Sequence, residues 1–284
     1  MKTYVVHAFT ENSSGGNPAG VVFLPEAQKL SEQQMQNIAA ELNFSETAFI
    51  RQKEERTFFI RYFTPVCEVP VCGHATIASF SFLRQKEIIG DGGYTLLTKD
   101  ETLKIEVSGE LVWMEMAKPV LEDEIDMQIT KQICDAYELE MSELSEILPP
   151  RIVRAGIRDI HLCLKNKDSL IRAKQHSDKI ASLSEQLDVA GVHMSCLSDQ
   201  GEVTAYCSNF APYYGIEEEC ATGTSNAGLT FYLYSRELIL PEQENCFLQG
   251  EHMGQPSKIY SRIRLVNGIP TVWIGGQAII TGIK

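Results

Sequence analysis

A thiol, a glycine and an imidazole stand side by side at Cys72-Gly73-His74. A β-type run, Thr57 to Phe63, leads in, and an apolar helix-like run, Thr76 to Leu83, leads out. The spacing places the three at a helix start, where unpaired N–H groups and a partial positive charge suit a carboxylate. A neutral imidazole there can donate to a substrate oxygen or relay a proton, and the helix dipole favours its neutral form. Far down the chain the plan recurs as Phe210-Ala211-Pro212, then Cys220-Ala221-Thr222-Gly223-Thr224-Ser225, then a helix-like run to Arg236. From the Phe of each Phe-x-Pro to the cysteine is nine residues in the first copy (63 to 72) and ten in the second (210 to 220). Two such turns point to two half-sites facing one ligand. The N–H groups and hydroxyls of Gly223, Thr224 and Ser225 suit a carboxylate, and equally an N-cap. Asn17, in the loop Gly15 to Gly20, either orients a ligand through its amide or completes a tight turn.

The composition narrows the chemistry. A chain of 284 residues, 44% hydrophobic and 22% charged, has the length and make-up of one large or two ordinary globular domains. A net charge of −13 argues against nucleic acid and anionic membranes as partners. No apolar run approaches the roughly 18 residues of a membrane span, and the alternating N-terminus lacks a signal-peptide core. Eight cysteines without a CxxC pair read as reduced thiols of a cytoplasmic protein. Cys134, Cys163, Cys196, Cys207 and Cys246 lie in apolar or alternating runs, as inert core thiols do. The six histidines form no HxxxH or HxH pair, so no metal site is expected.

Strands are predicted over Thr3 to Phe9, Gly20 to Leu24, Ser45 to Ile50 and Thr57 to Phe63, with a Ser31-capped helix after the second. Three short strands follow between Tyr94 and Ala117, as in a curled sheet. Lys118 to Glu124, polar and proline-bearing, reads as a crossover between domains. The second half opens with a helix over Ile129 to Tyr137. Strands Ile157 to Leu164, Gly191 to Leu197 and Glu202 to Cys207 flank a helical region from Asp168 to Leu187, before the second special turn. The expected fold class is α+β: two pseudo-symmetric domains, each a β-barrel-like sheet wrapped around a central helix. The boundaries are 1–118, completed by a last strand at about 278–284, and 119–277.

Gly16-Asn17-Pro18-Ala19-Gly20-Val21, Ser45-Glu46-Thr47-Ala48-Phe49, Arg61-Tyr62-Phe63-Thr64-Pro65 with Glu68, and Cys72-Gly73-His74-Ala75-Thr76 resemble the PhzF-like phenazine-biosynthesis family. So do Gln249-Gly250-Glu251-His252-Met253-Gly254-Gln255-Pro256-Ser257 and Gly275-Gly276-Gln277-Ala278, in the family's order across nearly the whole chain. The resemblance implies the diaminopimelate-epimerase-like fold with the active site in the inter-domain cleft. It also implies isomerase chemistry without metal or organic cofactor, often in a homodimer. The family's best-known activity moves a hydrogen within the ring of a dihydro-hydroxyanthranilate. Glu46 matches its acid/base carboxylate and His74 its active-site histidine. In the second half Ser208 stands at a family Arg, Glu219 at an Asp, Cys220 at a Pro, Thr224 at a Ser, and later Gln255 at an Arg.

The reading that follows is a cofactor-independent isomerase acting by acid/base proton transfer on a small carboxylate-bearing metabolite. Glu46 is the base, His74 and Glu219 assist, and Asn17, Gly73, Gly223, Thr224 and Ser225 bind substrate. Phe44, Ala48 and Phe49 give Glu46 an apolar setting. Cofactor-independent racemases on the same fold use one thiol from each half, and Cys220-Ala221-Thr222-Gly223 is similar to their Cys-Gly-Thr-Gly. A two-thiol racemase through Cys72 and Cys220 is therefore the alternative. A ligand-binding relative without turnover is the third reading.

Overall fold

In the computed structural model, which describes residues 2–12, 14–25, 27–199 and 201–284, the chain forms two compact units. One comprises Met1–Glu115 with Gly275–Lys284, the other Met116–Ile274.

The first unit follows from one helix that is apolar on every face. Of the 13 residues in Gly73–Gln85, the ten from His74 to Leu83 are buried, so this helix is the core rather than a surface element. The sheet around it runs from Ala278–Ile283 through Tyr4–Ala8, Asn17–Phe23, Glu46–Glu54, Thr57–Phe63, Gly92–Leu97 and Thr102–Ser108 to Leu111–Glu115. Asn17–Phe23 pairs in parallel with Glu46–Glu54, and Thr57–Phe63 in parallel with Gly92–Leu97; the other pairings in this run are antiparallel. The helix packs against strands from both ends of that run, Tyr4–Ala8 and Ala278–Ile283 at one end and Leu111–Glu115 at the other, so the sheet curls around it. Phe58 and Phe80 meet edge-to-face at 5.6 Å, and burying each such ring contributes about 2 kcal/mol.

The second unit repeats the scheme. Its central helix, Gly223–Ser235, is also 13 residues long, nine of them buried. In each unit a strand, a short antiparallel strand, the central helix and a parallel strand follow in order. These are Thr57–Phe63, Glu68–Val69, Gly73–Gln85 and Gly92–Leu97 in the first unit. In the second they are Ala205–Ala211, Ile216–Glu219, Gly223–Ser235 and Asn245–Gln249. Both helices end alike: Glu87 and Glu237 take φ 58°, while Ile88 N–H reaches Leu83 O and Leu238 N–H reaches Leu233 O, each at 3.0 Å.

The structure departs from expectation in two places. Val120–Glu124 is a strand, paired antiparallel with Arg151–Ala155, where the polar sequence suggested a crossover. Its acidic side chains are held by Arg158 on Glu122 at 2.8 Å and Arg151 on Glu124 at 2.9 Å. The helical region from Asp168 to Leu187 is two helices, Lys167–Arg172 and Ser177–Leu187, interrupted at residues 173–176. Among the described residues no helix is long and apolar enough to cross a membrane.

Candidate functional site

Three chemistry-bearing side chains of the first unit converge at the start of its central helix. Cys72 is the N-cap, in extended conformation (φ −142°, ψ 118°), and its side chain makes no cap hydrogen bond. Thr76 holds the turn instead, its N–H and hydroxyl both donating to Cys72 O at 3.0 and 2.7 Å. With that hydroxyl proton committed, the buried Tyr62 hydroxyl donates to Thr76 Oγ1 at 2.6 Å. The first-turn amides thus keep the uncapped, electropositive face suited to an anion. Over Gly73 the space is open except for Met114 Cε, 3.6 Å from where a β-carbon would stand.

His74, second in the helix, is only 7% exposed. Its Nε2 lies 3.2 Å from Glu46 Oε2 and 3.4 Å from Ser45 Oγ. Burial holds the imidazole below its ordinary value, against the opposing pull of the Glu46 carboxylate, so it is neutral near pH 7. Glu46 opens its strand directly opposite Ala19 on the parallel neighbour. Its Oε2 is buried and accepts no hydrogen bond of good geometry. Asn17 begins that neighbouring strand, two residues before Ala19, and is itself buried. The preceding turn needs glycine: Gly16 has φ +74°, and a β-carbon there would lie 2.5 Å from Ala8 O. The Cys72 thiol completes the group, 3.4 Å from His74 Nδ1.

At the second helix start, Thr222 is the N-cap, Gly223 the first helical residue and Thr224 the second. By position in the helix, Thr222 corresponds to Cys72 and Thr224 to His74. Cys220 lies two residues earlier, so the similar spacing of the two cysteines from Phe-x-Pro, nine and ten residues, does not make them equivalent. Burial and then Glu219 push the Cys220 thiol up to about 11. Glu219 ends its strand and accepts the Thr222 hydroxyl at 2.7 Å. Ser225 turns inward: it is 1% exposed, and its hydroxyl donates to buried Asp159 at 2.6 Å. Only its backbone N–H remains at the helix start, which corrects its expected role as a hydroxyl donor to substrate. Thr224, partly exposed, is the hydroxyl residue that stays near solvent. Of the other departures, Ser208 is fully buried and Gln255 exposed.

The residue that organises this helix start, Gln249, carried no sign of that role in the sequence. Gln249, 0% exposed, donates to Glu219 O at 2.7 Å and to Thr222 Oγ1 at 3.0 Å. Its Oε1 accepts from Thr222 N–H at 3.2 Å and from Asn226 Nδ2 at 2.8 Å. One amide therefore ties a strand end, an N-cap and a first helical turn together. Gly250 follows at φ +76°, where a β-carbon would lie 2.5 Å from Gln255 O and 2.9 Å from Cys220 O. Gln249-Gly250 opens one of the motifs quoted above, but a polar residue at a strand end does not announce burial.

Asp159, His161 and His193 lie fully buried in the same unit. Burial pushes Asp159 up to about 7, against hydrogen bonds from Ser225 and the Gly191 backbone. It pushes His193 down to about 4, against hydrogen bonds to Asn209 and Asn226, and holds His161 well below 6.5. As pH falls from about 6.5 to 4, the unfolded chain takes up protons that the folded histidines refuse, so stability falls. Asp159 acts oppositely: between about 7 and 3.8 the folded state holds a proton the unfolded chain has released. Asp159→Asn removes that offset. The variant is expected to be more stable than wild type near pH 8, on the order of 2 kcal/mol, and to lose stability more steeply towards pH 5. Urea midpoints at the two pH values check both signs.

A family model described as phenazine biosynthesis-like protein matches residues 6–282. An uncharacterized isomerase of Clostridium acetobutylicum is 30% identical over 290 residues, covering 98% of this chain and 95% of that one. The uncharacterized isomerase YddE of Escherichia coli is also 30% identical over 290 residues, covering 98% and 96%. The crystal structure of a Bacillus anthracis phenazine biosynthesis protein of the PhzF family superposes with a TM-score of 0.88 at 24% identity, covering 100% of this chain and 98% of that one.

Proposed function

Because the chain belongs to the phenazine biosynthesis-like (PhzC-PhzF) protein family, we propose that it is an isomerase that transfers a proton between carbons of a small carboxylate-bearing metabolite. The observation that carries this reading is the buried Glu46 Oε2, without a good hydrogen bond, 3.2 Å from a neutral, buried imidazole. A carboxylate so placed takes a proton from an activated carbon, the electron pair shifts along the adjoining unsaturation, and the same carboxyl group, its proton exchanging with solvent, delivers a proton to another carbon. Atoms and charge balance within one substrate, and no redox partner is required. His74 donates a hydrogen bond to the substrate oxygen on which negative charge grows. Glu219 assists as second carboxylate, Asn17 and the space over Gly73 receive the ligand, and Gly223, Thr224 and the amides of the second helix start hold its acid group. A homodimer, as the resemblance implies, is part of this proposal.

Two features count against the two-thiol alternative. A thiol pushed to about 11 holds its proton at neutral pH, and Cys220 lacks the N-cap position that Cys72 has. The test is incubation in deuterated water with a panel of amino acids and cyclic amino or hydroxy acids, followed by mass spectrometry. Deuterium entering substrate carbon is expected with wild type and with Cys220→Ser. Loss of exchange in Cys220→Ser with stability intact would move the chemistry to the thiols. Binding without exchange across the panel would make the chain a ligand-binding relative.

A further inference from the structure

We propose that Glu46, Cys72 and His74 form a binding site for a thiophilic divalent cation such as zinc, and that its occupancy stops proton transfer. Paired-histidine spacing does not mark this site, because its donors come from a helix start and from a strand beside it. One carboxylate oxygen, one thiol sulfur and one imidazole nitrogen lie within 4.8 Å of one another. His74 Nε2 is the common atom, 3.2 Å from Glu46 Oε2 and 3.9 Å from Cys72 Sγ. A tetrahedral zinc with ordinary bond lengths has N···O and N···S edges of roughly 3.3 and 3.6 Å. The two measured edges therefore sit within a few tenths of an ångström of a zinc site. The third closes by a rotamer adjustment of Glu46, which is one-fifth exposed.

The donor set selects the metal. Sulfur with imidazole favours zinc over magnesium or calcium, which seek oxygen alone. Three protein ligands leave a fourth position open to water, the arrangement of accessible zinc sites. The frame is rigid, because Thr76 pins the Cys72 carbonyl through two hydrogen bonds and His74 is packed to 7% exposure. Binding displaces the thiol proton, so affinity rises with pH. The helix start opposes a cation with only about half a charge, whereas thiolate and carboxylate supply two negative charges. Bound metal would take the Glu46 oxygen and the His74 nitrogen that proton transfer needs. That inhibitory half rests on the function proposed above; the binding half rests on geometry alone.

The experiment is a titration of the metal-free, full-length protein with Co²⁺, followed by displacement with Zn²⁺. Wild type is expected to develop a thiolate-to-cobalt charge-transfer band together with the visible bands of a tetrahedral ion, and zinc to erase both. Cys67→Ser, which removes an exposed thiol outside the cluster, keeps the bands. Cys72→Ser loses the charge-transfer band and weakens zinc binding by more than about 100-fold. No band in wild type, or an unchanged band in Cys72→Ser, overturns the site. Solvent exchange at saturating zinc reads the second half separately. Its loss is expected, whereas continued exchange with zinc bound overturns the inhibition and removes Glu46 and His74 from the chemistry while leaving the metal site standing.

Discussion

Glu46→Gln is expected to lower kcat/KM by about a hundred- to ten-thousand-fold while leaving the thermal midpoint nearly unchanged. The substitution keeps the shape of the side chain and removes only the basic oxygen. The Glu46 backbone continues to pair opposite Ala19, so the strand keeps its register. Oε2 makes no good hydrogen bond in the free protein, so its loss orphans no partner. A loss of rate without a loss of fold therefore isolates chemistry. The measurement is the initial rate of deuterium incorporation beside a thermal melt of the same preparation. Activity within tenfold of wild type would take Glu46 out of the mechanism.

Gln249→Leu is expected to cost about 3 kcal/mol of stability and to lower activity more than the fraction unfolded explains. Leucine fills much of the volume but removes the acceptor that Thr222 N–H and Asn226 Nδ2 share and the donor to the Glu219 carbonyl, three hydrogen bonds at one helix start. Each such hydrogen bond lost contributes about 1 kcal/mol, and the three share one site. The functional consequence follows from position, since Glu219 and Thr222 lose the amide that fixes them relative to Gly223. Gln249→Glu separates the roles: it keeps an acceptor for Thr222 N–H and Asn226 and loses the donor to Glu219 O. Urea denaturation reads the stability and exchange kinetics the activity. A stability loss below about 1 kcal/mol in Gln249→Leu would show that the network relaxes around the gap.

Much of the fold was legible because its signals are local. An apolar run entered from Cys72-Gly73-His74, and another entered from Cys220-Ala221-Thr222-Gly223-Thr224, read as buried helices, and their recurrence pointed to two like domains. The β-branched and aromatic runs Thr3 to Phe9 and Thr57 to Phe63 marked strands for the same reason. Strand Val120–Glu124 was missed because its partners are remote: it pairs with Arg151–Ala155, and Arg151 and Arg158 lie 27 and 36 residues away from the acids they hold. No local pattern carries such a pairing.

The sequence by itself determined the two apolar helices and the imidazole at the start of the first, since side-chain type and spacing over about ten residues set both; the candidacy of Glu46 came from the resemblance of Ser45-Glu46-Thr47-Ala48-Phe49 to the family. Tertiary structure decided which of these groups meet. Parallel pairing of Asn17–Phe23 with Glu46–Glu54, beside a helix that both strands pack against, brings a carboxylate to an imidazole 28 positions later. It also showed that Cys220 is no counterpart of Cys72, because the helix begins where Thr222, Glu219 and Gln249 bond to one another. Ser225 turns into the core for a like reason, drawn by Asp159 on a distant strand. Hydrogen-bond partners and burial belong to the register between strands, a property of the whole sheet that no stretch of ten residues contains.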